Sequence, residues 1–231
     1  MTKGYFKKRE IAIWVCSTLA VIASFCIFDR INYLNLAASL VGVSALIFCA
    51  KGNPIGQMLI ILFSTLYGII SFNFAYYGEL LTYAGMSLPM AIIALVSWLR
   101  HPYNGSRSQV EINKVSKKEF CFAIFLSLCV TVVCYFALAF FGTKNLWVST
   151  FSVSTSFLAV YLTSRRSPYF ALAYALNDVV LIILWALACF EDISYMSTVI
   201  CFLAFLVNDV YSFTNWKKMQ KQQAKKSLTA V

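Results

Sequence analysis

Charge is scarce in this chain. Of its 231 residues 12% are charged, nine of them acidic, while 61% are hydrophobic; an ordinary soluble domain is roughly half apolar and about a quarter charged. A soluble fold of this size has no core large enough to hide so much apolar surface, so the lipid bilayer must be the solvent. Histidine is nearly absent: the single one, His101, sits in an interfacial "RHPY" turn, and no acid-rich metal motif or nucleophile elbow accompanies it. That sets a membrane-embedded enzyme aside. No CxxC or Cys/His metal spacing occurs, and the eight cysteines (16, 26, 49, 121, 129, 134, 189, 201) all fall within or at the edges of apolar runs. They read as small polarizable packing residues rather than as disulfides or zinc ligands, and no cofactor or metal is expected. A soluble interaction domain is also missing. The longest loop, about 100–118, is short, polar and basic, which speaks against a purely structural or regulatory subunit.

What is present is a series of apolar stretches of about 20 residues, enough to cross roughly 30 Å of hydrocarbon. Eight are expected, at 11–28, 34–50, 55–73, 75–99, 119–141, 145–163, 169–190 and 194–216. The first follows "MTKGYFKKRE", which resembles a signal-peptide n-region. Its apolar run is long for such a signal, no A-x-A site follows, and Phe25 stands before Cys26 where a lipoprotein signal wants a small residue. It is read as a retained helix.

The net charge of +10 raises the question of nucleic acid, but the basic residues lie in short loops and at the chain ends, without aromatic-basic interleaving. Topology accounts for them. Eight spans put both termini on one side, and 17 of the 19 basic residues then fall on that side; only Arg30 and Lys144 fall on the other. That asymmetry is the signature of cytoplasmic loops, so both termini are expected in the cytoplasm.

An internal repeat organises the spans. "LIFCAKGNPIGQMLIILFSTLYG" (46–68) and "AVYLTSRRSPYFALAYALNDVVL" (159–181) each hold an apolar span, a basic turn, a proline and a second span; Pro54 matches Pro168 and Lys51 matches Arg165. The expected divisions are 1–33 (N-terminus and extra helix), 34–99 (first triple-helix bundle), 100–144 (loop and linker helix), 145–216 (second bundle) and 217–231 (basic tail). An odd linker lets both trios enter the membrane in one direction, giving parallel repeats about an axis along the membrane normal. Transporters built from repeats bind their solute near the midplane where the halves meet. The expected fold class is thus all-α integral membrane, one extra helix followed by a 3+1+3 arrangement.

Polar groups inside the spans are the candidate site, because a charge at helix centre costs about 2.5–3.5 kcal/mol on insertion scales. In "LNDVVLIILWAL" the pair Asn177 and Asp178 lies about halfway across; Trp185 shares the Asp178 face and Tyr174 precedes it by one turn. "LVNDVYSFTNWKK" repeats the dipeptide, with Asn208 and Tyr211 in one row beside Asn215, and Asp209 in the neighbouring row. The third span offers Gln57 and Ser64 at a seven-residue spacing, with Tyr67 adjacent; the fourth offers Glu79 and Tyr83 above Gly85 and Pro89, which can bend it. Each of these also fits a blander role as interhelical hydrogen bonding, a balance that tips toward function for Asn177 with Asp178. Amides and carboxylates suit ribose hydroxyls, and aromatic faces suit a flat or cationic ring. A nucleoside-like solute presents both. Asp178 and Asp209 are compatible with two roles, proton exchange or bonding to ribose.

The stretches "KGNPIGQ", "YYGELLTY", "SWLRHPY" and "VNDVYSFTNWKKMQKQQ" resemble, in order and from about residue 30 to 223, the PnuC vitamin transporters of bacteria. That resemblance implies a SWEET-like fold, homotrimers in the cell membrane, and uptake of nicotinamide riboside by facilitated diffusion. A cytoplasmic nucleoside kinase then traps the solute by phosphorylation. One departure stands out. Nicotinamide riboside carriers of this family commonly show W-x-x-W early in the helix matching the seventh span; aligned on Asn177, those positions are Phe170 and Ala173. The alternative is therefore a carrier of another nucleoside or vitamin, such as a deoxyribonucleoside, thiamine or riboflavin.

Overall fold

The structure, a computed structural model, describes residues 5–73, 80–143 and 145–229. Eight helices among these residues are long and apolar enough to cross a membrane. Helix α1 (Lys8–Ser24) ends in a widened π-helical turn (Phe25–Asp29), followed by α2 (Tyr33–Ala50) and α3 (Ile55–Asn73). A π-helical stretch (Leu81–Ser87) leads into α4 (Leu88–Arg100). Then come α5 (Lys117–Phe140), α6 (Leu146–Ser164), α7 (Tyr169–Ala188) and, after a 3-10 turn (Ile193–Tyr195), α8 (Met196–Thr229). The widening before α4 falls where Gly85 and Pro89 weaken the ladder: proline brings no N–H, and the wide turns end at Ser87, just short of it.

Consecutive helices pack on one another except α4 and α5, and two long-range pairings tie the bundle together: α2 lies on α8 and α4 lies on α6. Helix α1 covers α2 and α8, while α5 leans chiefly on α6. Phe122, Phe125, Leu128, Val132, Val133, Phe136 and Phe140 of α5 stay exposed, the all-round apolar surface expected where lipid replaces water.

The α2–α3 and α6–α7 turns are built alike. Gly52 and Arg166, each two residues before the turn proline, both take left-handed backbone (φ 67° and 56°). Asn53 N–H donates to the Phe48 carbonyl and Ser167 N–H to the Leu162 carbonyl, both at 3.0 Å. Glycine adopts that conformation freely; arginine does so at a cost of roughly 1–2 kcal/mol.

Two expectations change at the end of the bundle that carries the basic residues. The segment read as loop folds into a small hairpin, β1 (Pro102–Tyr103) against β2 (Ser106–Val110), turned by Asn104-Gly105 at φ 49° and 73°. That dipeptide is the residue pair a tight hairpin turn prefers. The segment read as tail instead continues α8 to Thr229. No proline or glycine interrupts "WKKMQKQQAKKS", and the Gln223 amide fixes the extension by accepting from Ile112 N–H (2.8 Å) and donating to the Val110 carbonyl (3.1 Å).

Candidate functional site

The helices enclose one large cavity of about 460 Å³, within the roughly 300–1,000 Å³ range of small-molecule sites. It reaches from Cys49, Gln57, Asp178 and Asp209 in the span interiors to Thr143, Asn145, Glu191 and Tyr195 in the turns at the end opposite the basic residues.

Its polar floor comes from four helices. Asn177 is buried, and its Oδ1 accepts from Thr155 Oγ1 (2.8 Å) and Ser156 Oγ (2.9 Å) of α6. Those two bonds fix the amide's orientation, because an amide oxygen has two lone pairs to satisfy. Asp178 follows it on α7 and comes within hydrogen-bonding reach of Asp209 on α8. Asp178 Oδ2 and Asp209 Oδ1 are buried and have no hydrogen-bond partner among the described residues. Ser64 Oγ is in the same condition, while Gln57 Nε2 donates to Cys49 Sγ at 3.4 Å. A buried polar atom without a partner costs about 1–3 kcal/mol. Above the floor, Phe63, Tyr83, Phe202, Phe205, Trp185 and Tyr195 supply aromatic walls, with Phe63 and Tyr83 at 6.0 Å and Trp185 and Tyr195 at 5.3 Å between centroids.

Below the floor the passage is closed by rings. Trp98 and Trp216 are fully buried, and Phe170 packs on Trp216 at 4.9 Å. Asn215 Nδ2 adds a 2.8 Å bond to the Ala50 carbonyl. Outside the spans, Tyr5 closes the outer face of this end, accepting from Asn53 Nδ2 (2.7 Å) and donating to the Ser108 carbonyl. Burial raises the Tyr5 hydroxyl's pKa, against the opposing pull of the Asn53 bond, so it keeps its proton and its donor role near neutrality.

The cavity thus gathers Asn177, Asp178, Trp185, Tyr174, Gln57, Ser64 and Tyr83. Glu79 lies outside the described residues. Three other candidates are placed elsewhere. Asn208 donates to Ser17 Oγ of α1 at 2.9 Å and to the Ala204 carbonyl at 2.8 Å, and Tyr211 donates to Glu10 Oε1 at 2.9 Å. Both lie on the face of α8 that α1 covers. Tyr67 donates to Asn35 Oδ1 at 2.9 Å and packs between Phe63 and Tyr83, behind the wall rather than in it. Conversely, Asp209 and the hydroxyls of α6 belong to the cavity. Ser149, Ser152 and Ser156 all line it, and their i, i+3, i+7 spacing in "STFSVSTS" was the available signal. Among the described residues, no three His, Cys, Asp or Glu side chains converge as a metal site would require, and no Lys, Arg or His lines the cavity.

Comparison with known proteins places this arrangement. Residues 32–218 match the family model described as "Nicotinamide mononucleotide transporter". A curated relative, the nicotinamide riboside transporter PnuC of Neisseria mucosa, is 23% identical over 218 residues, covering 92% of this chain and 82% of that protein. A solved structure described as the vitamin B3 transporter PnuC superposes with a TM-score of 0.81 at 20% identity, covering 96% of this chain and 95% of that one. That likeness concerns the fold.

Proposed function

The chain belongs to the nicotinamide mononucleotide transporter family, a multi-pass membrane transporter and not an enzyme, and on that premise we propose that it carries nicotinamide riboside. The observation that carries the reading is the cavity's chemistry: three carboxyl side chains, Asp178, Asp209 and Glu191, and among the described residues no basic one. Nicotinamide riboside is a ribose joined to a pyridinium ring with a fixed positive charge. Carboxyls and the Asn177 amide suit its hydroxyls and charge, and stacked aromatic walls suit the ring. Phe170 and Ala173 make no tryptophan clamp, but rings from α3, α7 and α8 stand around the same space. Deoxyribonucleosides and riboflavin are neutral and make no use of the acid excess. Thiamine, which is cationic, is the second reading that this lining favours.

Transport is by facilitated diffusion in the bacterial plasma membrane, by a homotrimer with both termini in the cytoplasm, where a nucleoside kinase traps the solute. Support for the orientation is the placement of 17 of 19 basic residues on the terminal side. Support for two parallel trios, α2–α4 and α6–α8, is the matched turns at Pro54 and Pro168 and the reciprocal packing of α2 on α8 and α4 on α6. The test uses proteoliposomes loaded with a ribosylnicotinamide kinase and ATP. Accumulation of label from nicotinamide riboside is expected; robust thymidine, riboflavin or thiamine uptake with none of nicotinamide riboside overturns the reading.

A further inference from the structure

Two seams run through the bundle, α2 against α8 and α4 against α6, and at the basic end they are fastened alike from inside. Trp216 and Asn215 of α8 donate to the Cys49 and Ala50 carbonyls of α2, both at 2.8 Å. Trp98 and Ser97 of α4 donate to the Thr163 and Ser164 carbonyls of α6, at 2.9 and 2.7 Å. In each seam two consecutive carbonyls are held, at the end of a helix that leads into a proline turn.

From outside the seams differ. Helix α1, which precedes the residues matched to the family model, packs on both α2 and α8. Among the described residues no third helix packs on both α4 and α6. The bonds of α1 go to both of the helices it covers. Trp14 Nε1 donates to Ser44 Oγ of α2 at 3.2 Å, and Ser17 Oγ accepts from Asn208 of α8 at 2.9 Å. Glu10 serves both sides at once: its carboxylate accepts from Tyr211 of α8 at 2.9 Å and pairs with Lys51, just past α2, at 3.1 Å. The Glu10 side chain is 0% exposed, and the rings of Tyr5 and Phe6 stand 4.8 and 5.7 Å from the Lys51 ammonium. Parting α2 from α8 strips a buried carboxylate of one of its partners, a costly step because the charge stays out of water. Behind the other seam lies the cavity itself: Ala91 and Ala94 of α4 and Ser156 and Val160 of α6 all line it.

We propose that α1 is a splint: it joins α2 to α8, so the bundle hinges on that seam and the basic end opens between α4 and α6. In that movement Trp98 leaves the Thr163 carbonyl and the face of Trp216. Trp216 stays with α2 as the platform against which Trp98 closes. Glu10 is a positioning residue, acting through Lys51 and Tyr211 without touching the solute. No ion or proton accompanies the movement, in keeping with facilitated diffusion. This deepens the proposed function and rests on the cavity being the solute site.

Double electron–electron resonance on the purified full chain tests it, in a parent whose eight cysteines are replaced by serine. Four exposed positions carry spin labels in two pairs: Ile55→Cys with Lys218→Cys across α2–α8, and Arg100→Cys with Arg165→Cys across α4–α6. One distance is expected for the first pair, with and without nicotinamide riboside. For the second pair a further, longer distance is expected, its share shifting when the solute is added. Glu10→Ala is expected to add a second distance to the first pair, an effect that a general loss of stability does not confine to one seam; a single distance there overturns the role of Glu10. Two distances for the first pair in the parent, or one for the second pair under both conditions, overturns the splint. A reducible thiol cross-linker then joins each pair in proteoliposomes loaded with ribosylnicotinamide kinase. The α2–α8 link is expected to spare uptake and the α4–α6 link to abolish it until reduced; any other pattern overturns the splint. An unlinked parent that takes up no nicotinamide riboside overturns the proposed function instead, and the distances measured without solute still decide the splint.

Discussion

Trp98 and Trp216 face each other with ring centroids 5.4 Å apart, and each anchors itself on a helix distant from its own along the chain. Trp98 donates its indole N–H to the Thr163 carbonyl at 2.9 Å, and Trp216 donates to the Cys49 carbonyl at 2.8 Å. Cys49 and Thr163 each stand five residues before a turn proline. The two bonds thus cross the bundle in mirrored fashion, from α4 to α6 and from α8 to α2, and close the floor toward the basic end.

Trp216→Phe keeps a ring in place but removes the donor, so the Cys49 carbonyl keeps only its bond from Gly52 N–H (2.9 Å), a loss of about 0.5–1.5 kcal/mol. We expect the closed end to open more often. Cys49, 4% exposed beside that bond, is the reporter: with the other seven cysteines replaced by serine, its labelling by a maleimide added from the basic side should rise severalfold. Unchanged labelling would show that this bond does not hold the end shut.

Asn177 separates packing from recognition. Asn177→Asp keeps an acceptor for Thr155 and Ser156 but buries another carboxyl beside Asp178, so uptake of nicotinamide riboside should fall and the thermal midpoint should drop as the pH rises. Asn177→Leu strands the Ser156 hydroxyl, while Thr155 keeps its bond to the Ser152 carbonyl (3.0 Å), and should lower stability by about 1–3 kcal/mol as well as abolish uptake. A fully active Asn177→Leu protein would remove the amide from the site.

Gly42 sets the width of the cavity. A Cβ there would come within 2.6 Å of Phe205 Cζ and 2.9 Å of Phe63 Cε2, and both rings are cavity walls. Gly42→Ala should therefore push them inward, costing about 1–3 kcal/mol through overpacking and raising the KM for uptake more than it lowers expression. Transport assays at matched protein levels decide this.

Arg166 holds left-handed backbone at φ 56°, and its Nε and Nη1 are buried without partners. Its counterpart in the first turn is Gly52. Arg166→Gly should relieve about 1 kcal/mol of backbone strain and raise the thermal midpoint by a few degrees; a lower midpoint would mean that the guanidinium contributes more than its bonding shows.

The hairpin is fastened to α8 by Gln223 and by the Gln109 amide, which donates to Met219 Sδ at 2.9 Å. Gln223→Ala removes the bonds to Val110 and Ile112, so trypsin should cut at the exposed Arg107 sooner than in the parent chain while uptake persists. Equal cleavage rates would show that the hairpin holds without Gln223.

How far the sequence reached depends on which force was at work. Lipid offers the backbone no hydrogen bonds, so each crossing must be an apolar helix of nearly fixed length. For that reason the number of spans could be read from the sequence, α3 at both of its ends and α2 within one residue. The Asn-Gly pair at 104–105 and the unbroken "WKKMQKQQAKKS" carried local signals too, for a hairpin and for a longer α8, but both stood in polar segments where the apolar pattern gives no guidance.

The site divided along a different line. That Asn177 and Asp178 were costly to bury followed from composition alone. Which partner Asp178 would meet did not, because a helix turns about 100° per residue and its phase is set by its neighbours. In "VND" that rotation sends Asn208 to Ser17 of α1 and Asp209 to Asp178 across the cavity, and it carries Tyr211 to Glu10 with the first face. Span count and the price of buried polarity were properties of the chain and its solvent. The meeting of two acids on different helices belonged to tertiary packing, since only the docking of α1 against α8 decides which side of α8 is left to face the cavity.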